Sequence, residues 1–297
     1  MAVKLLDSKI TKTEFKNSSF KKVDFSQSTL SHVVFENSDF DETIFNKSKL
    51  HDVRFVNCRF RNHSNFLALQ SSDVVFSDST FEKSSFSRAQ VLARFLQAKL
   101  DDVRMIDLQA PSSLIFEKSN LIEVNVDRSV LSLFRAVESK VDATFESAKI
   151  DVVEFSNGEI DAGLDDSTLG TLTVHNSTIS TLRMNTAHID KVVITKCTKT
   201  RNFGFFESTI REMEIAQSSL NELDLADVSL DLLTIRDTLL FNSDLKRLRA
   251  KNLVLENVSL DKKIDFTGAQ IGSIKAKNVS KLPSLHLITT GSNVQLD

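Results

Sequence analysis

Imidazoles, thiols and paired carboxylates run acid–base, nucleophilic and metal chemistry, and in this 297-residue chain they are thinly spread. The six histidines are His32, His51, His63, His175, His188 and His286. They form no ligand-spaced group with one another or with the two cysteines, Cys58 and Cys197. No glycine-rich phosphate loop occurs. The one suggestive pair is His32 with Asp52, twenty residues apart, and its types support a surface ion pair. No catalytic, cofactor-binding or metal-binding residue is assigned, no cofactor is called for, and an enzyme is not expected.

What would position any site is an unusual periodicity. Large apolar residues recur at Leu5, Ile10, Phe15, Phe20, Phe25, Leu30, Phe35, Phe40, Phe45, Leu50, Phe55 and Phe60. A smaller residue stands two places before each, among them Val3, Ser8, Thr13, Ser18, Val23 and Cys58. A helix repeats its apolar face at about 3.6 residues and a strand at 2; a period of five fits neither. Two inward positions followed by outward residues describe one short extended side and a turn. Ile10, Leu30 and Leu50 recur every twenty residues, as do Asn17, Asn37 and Asn57. Four sides therefore close one coil, and equivalent residues stack. The asparagines belong at a corner, since Asn tolerates unusual backbone angles better than most residues.

The pattern resembles the pentapeptide-repeat family, whose motif is a small residue, Asp or Asn, a central Leu or Phe and two variable positions. "VDF" at 23–25 and "SDF" at 38–40 match it fully. Thr29, Val34, Ile44, Lys49, Arg54 and Arg59 depart from its second position. The resemblance implies an all-β fold, a right-handed quadrilateral β-helix.

The period persists with slips. Centres resume at Phe66 after a one-residue insertion, and a deletion leads to Phe95, Leu100 and Met105. "IDLQAPSSL" interrupts them at Pro111, and "SLFRAVESKV" (132–141) reads as a looped or short helical excursion before Phe145. A second block runs from Leu169 to Ile194, and "TKTRNFGFF" breaks it near Lys199. About 55 sides give about fourteen coils, a rod on the order of 65–70 Å at ~4.8 Å per coil. Residues 1–276 are expected to form one continuous solenoid, Phe-rich to about 160 and Ile/Leu-rich over 161–276, with 277–297 a C-terminal cap or tail. Leu282, Leu285, Leu287 and Ile288 are that tail's expected apolar contacts.

Cys58 and Cys197 both occupy the small inward slot and read as buried thiols. The net charge is -3, with both signs interspersed. That lacks the basic face of a nucleic-acid binder, so nucleic acid is not an expected partner. No window approaches the ~20 apolar residues needed to span a bilayer. "MAVKLLDSKI" has no signal-peptide core, and the expected location is the cytoplasm, or outside it by export without a cleaved signal.

The partner is expected to be a protein. Trp and Tyr, which with Arg dominate tight interfaces, are absent. If Phe203 and Phe205 point inward, Phe206 points outward beside Arg201, and this pair is the candidate anchor. Two functional readings stand. One is a non-catalytic protein–protein interaction scaffold or adaptor, for which the resemblance also implies leaderless bacterial effectors. The other is a DNA-mimicking modulator of a type II topoisomerase, as in fluoroquinolone-resistance members of the family; the weak net charge counts against it. A homodimer through the N-terminal coils is expected, since the repeat is in register from Leu5.

Overall fold

The computed structural model describes residues 3–198, 200–261, 264–280 and 293–296, and the described residues are strands and turns without a helix. Two compact units divide the chain, Met1–Asp151 and Val152–Asp297. Both are built from stacked parallel coils, about 14 in all, so the expected β-solenoid is what forms.

In the first unit the strand Thr29–Glu36 supplies two sides of a coil, and Asp39–Asp41 the third. The next coil repeats this with Lys49–Val56 and Arg59–Arg61. Leu30 lies over Leu50, Val33 over Val53, Phe35 over Phe55 and Phe40 over Phe60. The backbone along these sides pairs in parallel with the coil before and the coil after, which satisfies its polarity without a helix.

The three phenylalanines per coil become three stacks. Phe15, Phe35, Phe55, Phe76, Phe95 and Phe116 lie face to face with centroids 4.8–5.0 Å apart. Phe20, Phe40, Phe60 and Phe81 form the second, and Phe25, Phe45, Phe66 and Phe86 the third. The first stack meets the others edge to face, as Phe35 does Phe40, an arrangement that suits the ring quadrupoles, while the second and third meet mostly at a tilt. The coil spacing itself sets the stacking distance.

Serine and threonine are tolerated inside because most find a backbone carbonyl in the preceding coil or two residues back. The hydroxyl of Thr43 donates to Phe20 O (2.6 Å), that of Ser48 to Phe25 O (2.7 Å) and that of Ser129 to Met105 O (2.9 Å). Cys58 and Cys197 occupy the same slot, free and buried. Burial pushes the Cys58 thiol up to about 11 and the Cys197 thiol in the same direction.

The corners explain how a chain with 7 Gly and 2 Pro can turn so often. Asn17, Asn37 and Asn57 have φ of 49°, 51° and 50°, the expected corner ladder. So do most other corners: Lys12, Lys22, Gln27, Glu42, Lys47 and Asp52 are also left-handed. One residue per side absorbs the turn, and its side chain points to solvent.

The excursion expected over 132–141 does not occur. Val130–Val137 and Lys140–Thr144 are strands, and Leu114 pairs with Phe134 and Phe116 with Ala136. The large residue has taken the small slot and the small residue the centre, so the pair still fills the wall while breaking the visible period. Leu69 and Ser71 are exchanged in the same way, both buried. At Pro111 the interruption is real: Gln109, Ala110 and Pro111 are exposed, and Ser112 is buried with its hydroxyl accepting from Val91 N at 2.9 Å.

In the second unit Leu169, Ile189, Ile210, Leu230, Ala250 and Ile271 form one inward column, and Val174, Ile194, Ile215, Ile235, Leu255 and Ala276 another. Asn293–Leu296 pairs with Gln270–Lys277. Leu282, Leu285, Leu287 and Ile288 lie outside the described residues.

Candidate functional site

With the interior closed, any function belongs to outward residues. The second unit has an open hollow of about 710 Å³ on one wall. Its origin is one missing side chain. In the outward column Arg183, Gly204 and Asp224 are successive partners, and Asp244 follows. A Cβ at Gly204 would touch only Asp224 Cβ at 3.7 Å and Asn185 Oδ1 at 4.0 Å. The glycine thus leaves space that three coils could otherwise fill.

Arg183 leans away from that space. Its Nε donates to Asp165 at 2.6 Å, on the side where Gly163 also lacks a side chain. Glu222, Asp224 and Asp244 border the hollow with Arg183. The Asp224 carboxylate accepts from Ala226 N at 2.9 Å, and Asp244 is held by Lys246 at 3.0 Å. The border is therefore mainly acidic.

Phe203 and Phe205 point inward and are fully buried. Phe206 is half-buried and lines the hollow, while Arg201 is exposed. The structure thus brings Phe206 to the hollow; Arg201 is not among the lining residues. Lys199 lies outside the described residues; Thr200 is buried, and its hydroxyl donates to Asn221 O at 2.8 Å. Beyond the lining residue Asn242, Phe241 is 39% and Leu239 44% exposed. Sequence reasoning missed Gly204, Leu239 and Phe241. The available signal was a glycine, rare in this chain, placed between two inward phenylalanines.

A second hollow, of about 530 Å³, lies in the first unit among Lys83, Ser85, Arg88, Asp102, Arg104 and Asp107. Asp107 is tied to Arg128 at 2.9 Å, and the border is of mixed charge. His32 stands 3.9 Å from Asp52 with both side chains exposed, as a surface pair. Among the described residues no group of three or more His, Cys, Asp or Glu is placed to hold a metal ion. Among the described residues no helix is long and apolar enough to cross a membrane.

Residues 8–86 match the family described as a pentapeptide repeat region. No curated protein matches. Among solved structures, HetL, a pentapeptide repeat protein involved in heterocyst differentiation regulation from the cyanobacterium Nostoc, aligns at 13% identity over 89% of this chain and 85% of its own, with a TM-score of 0.19. QnrB1, a plasmid-mediated fluoroquinolone resistance protein, aligns at 13% identity over 76% and 91%, with a TM-score of 0.29. A mannuronic acid specific polysaccharide lyase from human gut microbiota aligns at 9% identity over 100% and 85%, with a TM-score of 0.26. All three likenesses stand at the same low level and carry no argument about function. Residues 8–86 are thus similar to a pentapeptide repeat region, and each unit, taken by itself, is built from stacked parallel coils.

Proposed function

We propose that the protein is a non-catalytic interaction scaffold whose partner is another protein. The observation that supports this most is the hollow at Gly204. It joins an acidic border to the half-buried Phe206, beside exposed Phe241 and Leu239. Apolar surface rimmed by charge is the usual mark of a protein contact. Buried free thiols at Cys58 and Cys197 fit a reducing compartment such as the cytoplasm.

Gly204→Phe fills the hollow from a position whose neighbours leave room, and Phe206→Ser removes the anchor. The test compares proteins enriched on the tagged full chain with those enriched on each variant. A protein retained by the parent and lost from both variants supports the reading. Identical retention on all three refutes it.

Self-association is a second reading. Leu5, Ile10 and Phe15 are only half-buried, and Leu6 is 47% exposed, which favours contact between the N-terminal coils of two copies. Sedimentation of the parent and of Ile10→Asp decides it: a concentration-dependent dimer lost in the variant is expected, and a parent that stays monomeric at high micromolar concentration contradicts it.

A further inference from the structure

One wall of the first unit carries a second pattern that the fold does not require. Two outward columns run up its strands. In the first, Val34, Arg54, Val75, Arg94, Ile115 and Arg135 are successive partners. In the second, two residues further along each strand, stand Glu36, Val56, Ser77, Leu96, Glu117 and Val137. The apolar residues alternate between columns, giving a zigzag through Val34, Val56, Val75, Leu96, Ile115 and Val137, all partly exposed. An arginine interrupts the first column at every second coil.

Single outward valines are ordinary in strands. The corresponding outward columns of the second unit lack the pattern. They read Thr173, Val193, Glu214, Thr234, Val254 and Lys275, then His175, Thr195, Ala216, Arg236, Glu256 and Lys277. Nothing alternates there.

The geometry points to an occupant. Same-column apolar residues are two coils apart, about 9.6 Å, and the columns are about 6.6 Å apart. An α-helix lying along the stack repeats its apolar seam every seven residues, about 10.5 Å, with a staggered residue half-way. An extended segment lying the same way presents one straight row instead. A second copy of this wall fits poorly. Antiparallel docking in one register sets every arginine against an aliphatic residue, and a one-coil shift sets arginine against arginine. Both waste either the apolar contact or the charge.

We propose, building on the scaffold reading, that this wall docks an amphipathic helix of a partner protein, with leucine-type residues in the zigzag and carboxylates meeting Arg54, Arg94 and Arg135. Arg94 already reaches across one coil to Glu117 at 2.9 Å, so the incoming carboxylate competes for a guanidinium that is positioned outward.

The test uses the full chain and a three-heptad stapled helical peptide with Leu at its seam and Glu on its flanks, followed by fluorescence anisotropy. Saturable binding is expected, weakened at least about tenfold, or 1.4 kcal/mol, when the flanking Glu are changed to Lys. The combined Arg54→Glu, Arg94→Glu, Arg135→Glu variant should reverse that preference. Val75→Lys with Ile115→Lys should abolish binding of either peptide, and circular dichroism confirms that both variants remain folded. No saturation by about 100 μM, equal binding of the two peptides, or unchanged binding to the seam variant overturns the proposal. Those results leave the Gly204 hollow untouched, because its variants lie in the other unit.

Discussion

The side-chain amide of Asn57 donates from Nδ2 to Oδ1 of Asn37 at 2.8 Å, between two residues that both carry a left-handed backbone. The same contact recurs from Asn176 to Asn157 and from Asn278 to Asn257. A corner is thus held twice, by a backbone angle that Asn accepts and by a ladder running up the stack.

The two contributions separate by substitution. Asn57→Ala loses the ladder bond and forces Ala into the left-handed region, a combined cost of about 2 kcal/mol. Asn57→Gly loses the bond but keeps the angle. Urea midpoints should fall in the order parent, Gly, Ala; an Ala variant at least as stable as Gly would show that the corner angle is not what Asn57 supplies.

Inside the Phe stacks, Phe40 touches Phe20, Phe35 and Phe60 and is completely buried. Phe40→Asp places a carboxylate in a dry wall and should cost several kcal/mol. Phe40→Leu should cost about 1–3 kcal/mol, mainly as lost packing. Thermal melts that put Asp within a degree of the parent would disprove the assigned register.

The Cys58 thiol gives a pH signature. Its folded value is raised to about 11 from an ordinary 9.0. Below pH 9 the thiol is protonated in both states, and the folded state keeps its full advantage. Between pH 9 and 11 the unfolded thiol ionises first, so stability falls as pH rises, by about 3 kcal/mol at most. Cys58→Ser puts the slot's usual occupant in place and removes the ionisation. The loss of melting temperature from pH 8 to pH 10.5 should therefore be smaller in Cys58→Ser than in the parent; equal losses would contradict the burial argument.

Asp41 tests the acid side. It is 5% exposed, and hydrogen bonding from Asn62 at 2.7 Å, then Lys21 and Arg61, hold its carboxyl below the usual range. A lowered folded value stabilises above the unfolded value and is lost as pH falls through the folded one. Asp41→Asn should reduce stability at pH 7 and converge on the parent toward pH 2. A constant difference across that range would show that charge is not the cause.

Side length, coil length and the inward columns were legible because Phe, Leu and Ser differ so much in size that stacking writes itself as a period. Exchanged pairs hid that period: Leu69 with Ser71, and Phe134 with Ala136, conserve volume but reverse the order of sizes. The left-handed corners at Lys12 and Glu42 were illegible for another reason, since neither residue prefers that angle and the coil imposes it. The hollow was half legible. Phe206 followed from two inward neighbours, but the space beside it depends on residues of three coils, each about twenty positions apart. The arginine–aliphatic zigzag had the same concealment, visible only after the coils are stacked in register.

The scaffold account is tested most directly by reading partner retention and melting temperature on the same variants. Gly204→Phe and Phe206→Ser alter outward residues, and Phe40→Leu alters only the core. The account predicts that the two outward variants lose the partner while melting within a degree or two of the parent, and that Phe40→Leu melts several degrees lower yet retains the partner. Outward variants that keep the partner at the parent's yield, or that lose it only in proportion to a lowered melting temperature, would contradict it.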